Sequence, residues 1–134
     1  MNTGVIDAGI PIGWMRGGHR SQNRLDALLQ GCRSGNLVLH LSTVNLAEVV
    51  LHTEELAKAS GVDPVAFLKA AGVRLHAPDE SIARRVARLC SAYDTALADG
   101  FAAATAQEFG VRLHTTDRSL VSQLRRAKLP VTLY

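Results

Sequence analysis

Short apolar runs alternate along the chain with longer segments in which apolar residues recur every three or four positions. The short runs predict β-strands, and the longer periodic segments predict amphipathic helices. Strands are predicted at residues 4–6, 37–40, 73–75, 111–114 and 131–133. Strands that alternate with helices are typical of an α/β domain with a parallel sheet. The pattern therefore predicts one three-layer domain in which about seven helices pack around a doubly wound, five-stranded sheet.

Capping residues and helix breakers mark where the predicted helices begin and end. Pro11 lacks a backbone N–H and fits only the first turn of a helix, so a short helix should begin just before it. Ser21 is the expected N-cap of a helix that reaches Cys32, and Ser42 that of a long helix through about Ala59. The remaining helices are predicted at residues 64–71, 80–93, 97–109 and 118–128.

The composition indicates a soluble protein with one domain, residues 1–134. Of these residues 47% are apolar, which is enough for a single core at this length. No apolar run approaches the roughly 18–20 residues of a membrane span, and the N-terminus lacks the pattern of a secretory signal. Cys32 and Cys90 lie far apart and outside any metal-binding motif, which favours two reduced, buried thiols in a cytoplasmic protein. The net charge of +3 favours nucleic acid as a partner but does not establish one.

Four of the twelve acidic residues fall where a parallel sheet would place a binding site. Asp7 ends the first predicted strand, and Glu48 lies in the second turn of the helix that leaves the second strand. Asp99 lies in the first turn of the helix before the fourth strand, and Asp117 just past that strand. Ligands of open parallel sheets bind outside the carboxyl ends of the strands, at the point where the strand order reverses. We therefore expect these four carboxylates to line one cleft.

Each of the four acids also has a purely structural interpretation. Asp117 could serve only as an N-cap, and Asp99 could only complement a helix dipole. Glu48 could point to solvent, and Asp7 could be an isolated polar residue at the end of a strand. Carboxylates gathered in one cleft repel one another unless they share protons or bind a cation. An all-oxygen set without thiolates suits Mg²⁺ or Mn²⁺ rather than Zn²⁺.

Four sequence motifs, in order along nearly the whole chain, resemble those of the PIN-domain ribonucleases. Residues 5–8 (VIDA) and 42–49 (STVNLAEV) are similar to the first and second acidic motifs of that family. Residues 97–106 (LADGFAAATA) and 110–117 (GVRLHTTD) are similar to the third and fourth, and these two are the more specific. The length of the chain is also similar to that of VapC-type toxins of prokaryotic toxin–antitoxin pairs.

The resemblance implies a strand order of 3-2-1-4-5 and RNA cleavage that depends on Mg²⁺ or Mn²⁺ and leaves a 5′-phosphate and a 3′-hydroxyl. It implies that Asp7, Asp99 and Asp117 hold one cation and that Glu48 helps to hold a second or acts as a general base. Thr115 is then expected to orient Asp117 through its hydroxyl. The resemblance also implies a homodimer and a small antitoxin that inserts into or near the acidic cleft.

Two further features bear on this expected activity. Many relatives carry Ser or Thr where this chain has Gly9, so a hydroxyl that could orient Asp7 is missing there, and Pro11 is unusual. The sequence leaves open whether either residue lowers the activity. Arg20 and Arg118 flank the first and fourth acidic motifs and are candidates for contacts with RNA phosphates.

Three rival functions are compatible with an acidic α/β domain. A non-catalytic RNA-binding or scaffold module with the same fold would bind no metal and cleave nothing. A phospho-acceptor receiver domain needs paired acids after the first strand, where Asp7 stands alone, and an aspartate after the third, which ends in Leu75-His76. A flavin or nucleotide carrier needs a phosphate-binding loop after the first strand, which residues 8–11 (AGIP) do not supply.

Overall fold

Five parallel strands form one sheet in the computed structural model, which describes residues 2–134. The strands are β1 (Asn2–Ile6), β2 (Leu37–Ser42), β3 (Arg74–His76), β4 (Arg112–Thr115) and β5 (Val131–Leu133). Their order across the sheet is β3-β2-β1-β4-β5, and each neighbouring pair is parallel. The predicted sheet and the strand order implied by the resemblance are both confirmed.

Eight helices connect these strands within the described part of the chain. They are α1 (Gly9–Arg16), α2 (Gln22–Arg33), α3 (Thr43–His52), α4 (Glu54–Ser60), α5 (Pro64–Ala70), α6 (Glu80–Tyr93), α7 (Leu97–Phe109) and α8 (Arg118–Arg126). None of these helices combines the length and the apolar composition that a bilayer crossing requires, for residues 2–134.

The sheet separates two hydrophobic cores, which gives the fold three layers. One core joins Ile6 of β1 to Trp14 of α1 and to apolar residues of α2, α3 and α5. The other joins Val5 of β1 to α6, α7 and α8. Successive residues of a strand point to opposite faces, so Val5 and Ile6 belong to different cores. In α7 the second core is built from four fully buried alanines, which lets this helix approach the sheet closely.

The long helix predicted after Ser42 is divided in two at Thr53, which accounts for eight helices where about seven were predicted. Ser42 caps α3 as expected, since its hydroxyl accepts a hydrogen bond from the N–H of Val44. Thr53 leaves helical geometry, and its hydroxyl donates to the carbonyl of Val49 at 2.6 Å. Such bonding of a threonine back to its own helix competes with continued helical pairing. The guanidinium of Arg16 also binds a carbonyl of the last turn of α3.

The start of α2 is a second difference from the prediction. Ser21 occupies the N-cap position but its side chain makes no capping hydrogen bond. The backbone N–H of Ser21 instead donates to Nδ1 of His19, at 2.9 Å. Pro11, by contrast, lies within the first turn of α1, where its missing N–H leaves no broken helical hydrogen bond.

The order of the strands determines which segments meet at the carboxyl edge of the sheet. β1 and β4 are neighbours, with Ile6 paired to His114. The pairing extends one residue further, because the N–H of Asp7 donates to the carbonyl of His114 at 3.2 Å. The turn after β1 and the turn after β4 therefore lie side by side, at the point where the strand order reverses.

Candidate functional site

Asp7 is a buried carboxylate whose two oxygens both accept hydrogen bonds. Its side chain is only 5% exposed. Oδ1 accepts from the N–H of Gly9 at 3.1 Å, and Oδ2 accepts from the hydroxyl of Thr115. That hydroxyl in turn accepts from the backbone N–H of Asp117 at 2.9 Å. Asp7 is thus held in place by the last residue of β4 and the first residue of α1.

These contacts correct the expected role of Thr115. We expected its hydroxyl to orient the carboxylate of Asp117, but the hydroxyl donates to Asp7 and meets only the backbone N–H of Asp117. A hydroxyl has a single proton to donate, so it can serve one carboxylate at a time. Thr115 therefore orients Asp7.

Asp117 caps the N-terminus of α8, as its structural interpretation required. Its Oδ1 accepts from the N–H and the hydroxyl of Ser119, at 2.9 and 2.8 Å, and from the N–H of Leu120 at 3.3 Å. Capping does not remove Asp117 from the acidic group, because its charge raises the pKa values of both Asp7 and Asp99. One residue thus begins a helix and contributes negative charge to the cleft.

Glu48 and Asp99 are brought together by Asn45, a residue of α3 to which the sequence alone gave little weight. The amide Nδ2 of Asn45 donates to Oε1 of Glu48 at 2.9 Å and to the carbonyl of Ala98 at 3.0 Å. Glu48 therefore faces the start of α7 rather than open solvent. Asn45 precedes Glu48 by three residues on one helical face, and this spacing is the signal that could have identified it.

Two of the four carboxylates, Asp7 and Asp99, have raised pKa values. Burial raises the pKa of Asp7 to about 7, and the charges of Asp99 and Asp117 add to this rise, against the hydrogen bonds from Thr115 and Gly9. Burial also raises the pKa of Asp99 to about 6, with the charges of Asp117 and Glu48 adding to it. None of the four forms an ion pair with a basic side chain within residues 2–134. Their negative charge is therefore not neutralised by the protein itself.

The donor set is chemically suited to a hard divalent cation. Carboxylate and amide oxygens are the ligands that Mg²⁺ and Mn²⁺ prefer. The buried Oδ1 of Asn45, next to Glu48, has no hydrogen-bond partner in the described chain. Among residues 2–134, no three His, Cys, Asp or Glu side chains are arranged so that they could hold a metal ion as they stand. The suitability of these residues for a divalent cation therefore rests on the chemistry and charge of their oxygen atoms.

The two candidate phosphate-binding arginines lie at different distances from the acidic group. Arg118 is exposed and directly follows Asp117. Arg20 is also exposed, but it lies beyond α1, and eight helical residues correspond to about 12 Å along the axis. Arg118 is therefore the nearer candidate along the chain.

A parallel sheet of order 3-2-1-4-5 with coupled carboxylates at its switch point defines a class of α/β proteins with an acidic site at the edge of the sheet. A family model for the PIN domain matches residues 4–126, and the chain belongs to the PIN domain family. No curated protein sequence matches the chain.

Solved structures share this fold at low sequence identity. A toxin–antitoxin complex from Klebsiella pneumoniae matches with a TM-score of 0.64 and 20% identity, over 85% of this chain and 86% of that one. VapC20 from Mycobacterium tuberculosis is described as a toxin that cleaves the sarcin–ricin loop. It matches with a TM-score of 0.66 and 13% identity, over 89% of this chain and 93% of that one. VapBC2 from Rickettsia felis, bound to a DNA fragment of its promoter, matches with a TM-score of 0.70 and 14% identity, over 98% of both chains.

Proposed function

We propose that this protein is an endoribonuclease that depends on Mg²⁺ or Mn²⁺ and is the toxin of a cytoplasmic toxin–antitoxin pair. The observation that carries the proposal is the group of carboxylates at the switch point, where burial, together with the charges of neighbouring carboxylates, raises the pKa values of Asp7 and Asp99. Membership of the PIN family and the likeness to the structure of an RNA-cleaving toxin support it.

Asp7, Asp99 and Asp117 are the residues proposed to hold the cation. Asp7 is presented by its two hydrogen bonds, and Asp117 retains Oδ2 because only Oδ1 is used in capping α8. A divalent cation supplies Lewis acidity, which acidifies water and offsets negative charge on a phosphodiester. Positive charge beside Asp7 and Asp99 also favours their ionised forms, since burial and the charges of neighbouring carboxylates raise the pKa values of these two residues.

Glu48 is the proposed general base, or else a ligand of a second cation. Asn45 holds Oε1 of Glu48, which leaves Oε2 to accept a proton from an attacking water. The same amide connects α3 to the start of α7 through the carbonyl of Ala98, the residue before Asp99. Arg118 is proposed to contact RNA phosphate beside the site, with Arg20 contacting more distant phosphate.

The decisive experiment incubates the purified protein with total RNA and Mn²⁺ or Mg²⁺ and maps the cut ends. We expect discrete cleavage with either ion, none with EDTA, and none with Asp7→Asn. Glu55→Gln is the matched control, because it removes one negative charge from an exposed helix face and should cleave as the wild type does. Cleavage by Asp7→Asn at the wild-type rate would reject the assignment.

A non-catalytic PIN-fold module that binds RNA or serves as a scaffold is the second candidate. Two observations favour it: one oxygen of Asp117 is engaged in capping α8, and the described residues hold no preformed metal group. This candidate predicts RNA binding that is unaffected by EDTA, together with uncut RNA at every metal concentration. The same experiment therefore decides between the two.

We also propose two protein partners, a small antitoxin and a second copy of this chain. One of the similar structures is described as a toxin–antitoxin complex, which supports the first. Leu51 of α3 and Leu97 of α7 are 66% and 67% exposed. A second copy of the chain could bury this apolar surface, which supports the second partner. Expression of the wild type should arrest growth, and co-expression of the small reading frame next to its gene should relieve the arrest. Sedimentation would give the oligomeric state.

A further inference from the structure

The space beside Gly9 is filled by a side chain from another part of the chain. A Cβ atom built on Gly9 would lie 2.1 Å from Oγ1 of Thr116, far inside van der Waals contact. The φ angle of Gly9 is outside the left-handed region, so its backbone does not itself call for glycine. The obstacle to a side chain at position 9 is therefore the hydroxyl of Thr116.

The carboxylate of Asp7 borders the same space. The same Cβ position on Gly9 is 3.4 Å from Oδ1 of Asp7, so both oxygens border one small volume. Thr116 is half-buried, and its hydroxyl has no hydrogen bond within residues 2–134, to Asp7 or to any other residue, so it is free to donate to Oδ1. Thr115 already serves Oδ2. The turn after β4 thus places one threonine hydroxyl on Oδ2 of Asp7 and a second, unengaged one beside the space that Oδ1 borders.

We infer that Thr116 is a positioning residue for Asp7, and that it supplies the hydroxyl for which position 9 has no side chain. The inference rests on the proposed function, because it assigns Thr116 to the presentation of a cation ligand. Gly9 is then the residue that admits this hydroxyl rather than a residue that lacks one. Residues 9 and 116 thus act together on Asp7, although more than one hundred positions separate them in the sequence.

The steric relationship predicts that substitutions at the two positions act through the same group. Cβ of Thr116 is 3.4 Å from the Cβ position on Gly9, an ordinary contact, so only the hydroxyl must move to admit a methyl group. Gly9→Ala should therefore rotate the hydroxyl of Thr116 away from Asp7. Thr116→Val removes the hydroxyl while keeping the shape of the side chain. Both variants should fold and should share one defect.

The first experiment measures Mn²⁺ affinity from the electron paramagnetic resonance of the free ion, together with kcat for RNA cleavage. Residues that orient metal ligands typically change metal affinity by about 10–100-fold when mutated. We expect Thr116→Val and Gly9→Ala each to weaken Mn²⁺ binding by about tenfold, and the double variant to be no worse than either. Thr116→Ser keeps the hydroxyl and should stay close to the wild type. Additive losses, or wild-type affinity in Thr116→Val, would overturn the inference.

The second experiment transfers the hydroxyl from residue 116 to residue 9. Gly9→Ser alone crowds Thr116 and should weaken Mn²⁺ binding, whereas Gly9→Ser combined with Thr116→Ala places the serine hydroxyl in the vacated volume. The combined variant should bind Mn²⁺ more tightly than Thr116→Ala alone. If it binds no better, the hydroxyl has no positioning role. Thermal unfolding without metal confirms that each variant is folded.

The two experiments distinguish failure of this inference from failure of the proposed function. A wild type that binds Mn²⁺ but leaves RNA uncut rejects the nuclease, while a loss of affinity in Thr116→Val still supports the positioning role. A wild type that cleaves RNA with Thr116→Val unchanged in affinity and kcat keeps the nuclease and rejects the positioning role. A wild type that binds no Mn²⁺ overturns both.

Discussion

Two groups of polar side chains on the sheet, the acidic group and a pair of histidines, differ in how their charge is balanced. At the ends of β1 and β4 lie the coupled carboxylates around Asp7. Across β2 and β3 lie His40 and His76, whose Nδ1 and Nε2 atoms form a hydrogen bond at 2.6 Å. The ring of Phe109 packs on both imidazoles, with centroids 4.7 and 4.9 Å away.

Burial has opposite consequences for these two groups. It lowers the pKa of His40, and the neighbouring charges of His76 and Arg74 lower it further, so the imidazole is neutral and pairs with its neighbour. Burial raises the pKa of Asp7, yet each nearby carboxylate adds repulsion that no basic side chain of the described residues relieves. The histidine pair is satisfied by its own neighbours, whereas the acidic group needs a proton or a cation from outside. For this reason we propose the acidic group, rather than the histidine pair, as the functional site.

The largest contrast should appear in RNA cleavage. Asp99→Asn removes a proposed cation ligand and should lower kcat/KM by roughly 1,000-fold. His76→Gln keeps a hydrogen-bonding side chain in the other group and should stay within about twofold of the wild type. Cleavage of a single labelled RNA with Mn²⁺ measures both variants. Equal losses in the two would place the chemistry elsewhere.

The next largest effect concerns stability without metal. An acid whose pKa rises on folding holds its proton more tightly in the folded state, so stability is lost as pH rises from 3.8 to about 7. Asp7→Asn removes this cost and should stabilise the protein at pH 8 by up to about 4 kcal/mol, at about 1.4 kcal/mol per pKa unit. Urea unfolding with EDTA measures the difference. The gain should shrink at pH 5, and a pH-independent gain would assign it to packing.

The histidine pair should show the opposite pH dependence. A histidine whose pKa falls on folding contributes stability above its unfolded pKa of 6.5, and this contribution is lost as pH falls. Loss of its buried hydrogen bond should cost His40→Gln about 1–2 kcal/mol at pH 8. The deficit against the wild type should narrow at pH 5 in the same urea experiment. A deficit that widens in acid would mean that His40 is charged in the folded state.

The smallest effect is expected from the basic residues at the rim of the site. Arg118→Ala should raise KM for RNA by about threefold, with a weaker dependence on salt because one phosphate contact is lost. Arg20→Ala should change KM less, since α1 lies between this residue and Asp7. Titration of KM against KCl concentration compares them. A larger effect of Arg20 would indicate that RNA crosses the far end of α1.

The sequence predicted features that depend on neighbours along the chain. The apolar periods located five strands, and the positions of Asp7 and Asp117 after neighbouring strands placed them at one edge of the sheet. The capping role of Ser42 follows from a local hydrogen bond and is confirmed. The order of the strands came from the family resemblance rather than from periodicity.

Features that join distant segments could not be predicted in this way. The contact of Asn45 with Ala98 spans 53 positions, and that of Thr115 with Asp7 spans 108. The end of α3 at Thr53 depends on a side chain that bonds to its own helix, which propensity alone does not specify. These contacts depend on how side chains pack across the folded sheet, and neither periodicity nor spacing encodes that packing.

The alanines of α7 have a consequence for how the proposed activity could be lost in evolution. Residues 102–104 and 106 are fully buried, and a Cβ on Gly100 would come within 2.9 Å of Sγ of Cys90. Any larger side chain there would push the helix outward and carry Asp99 with it. Inactivating mutations are therefore expected at codons of α7 as well as at the codons for the carboxylates. A lineage could disarm the protein through a single alanine-to-valine change while every acidic codon stayed intact.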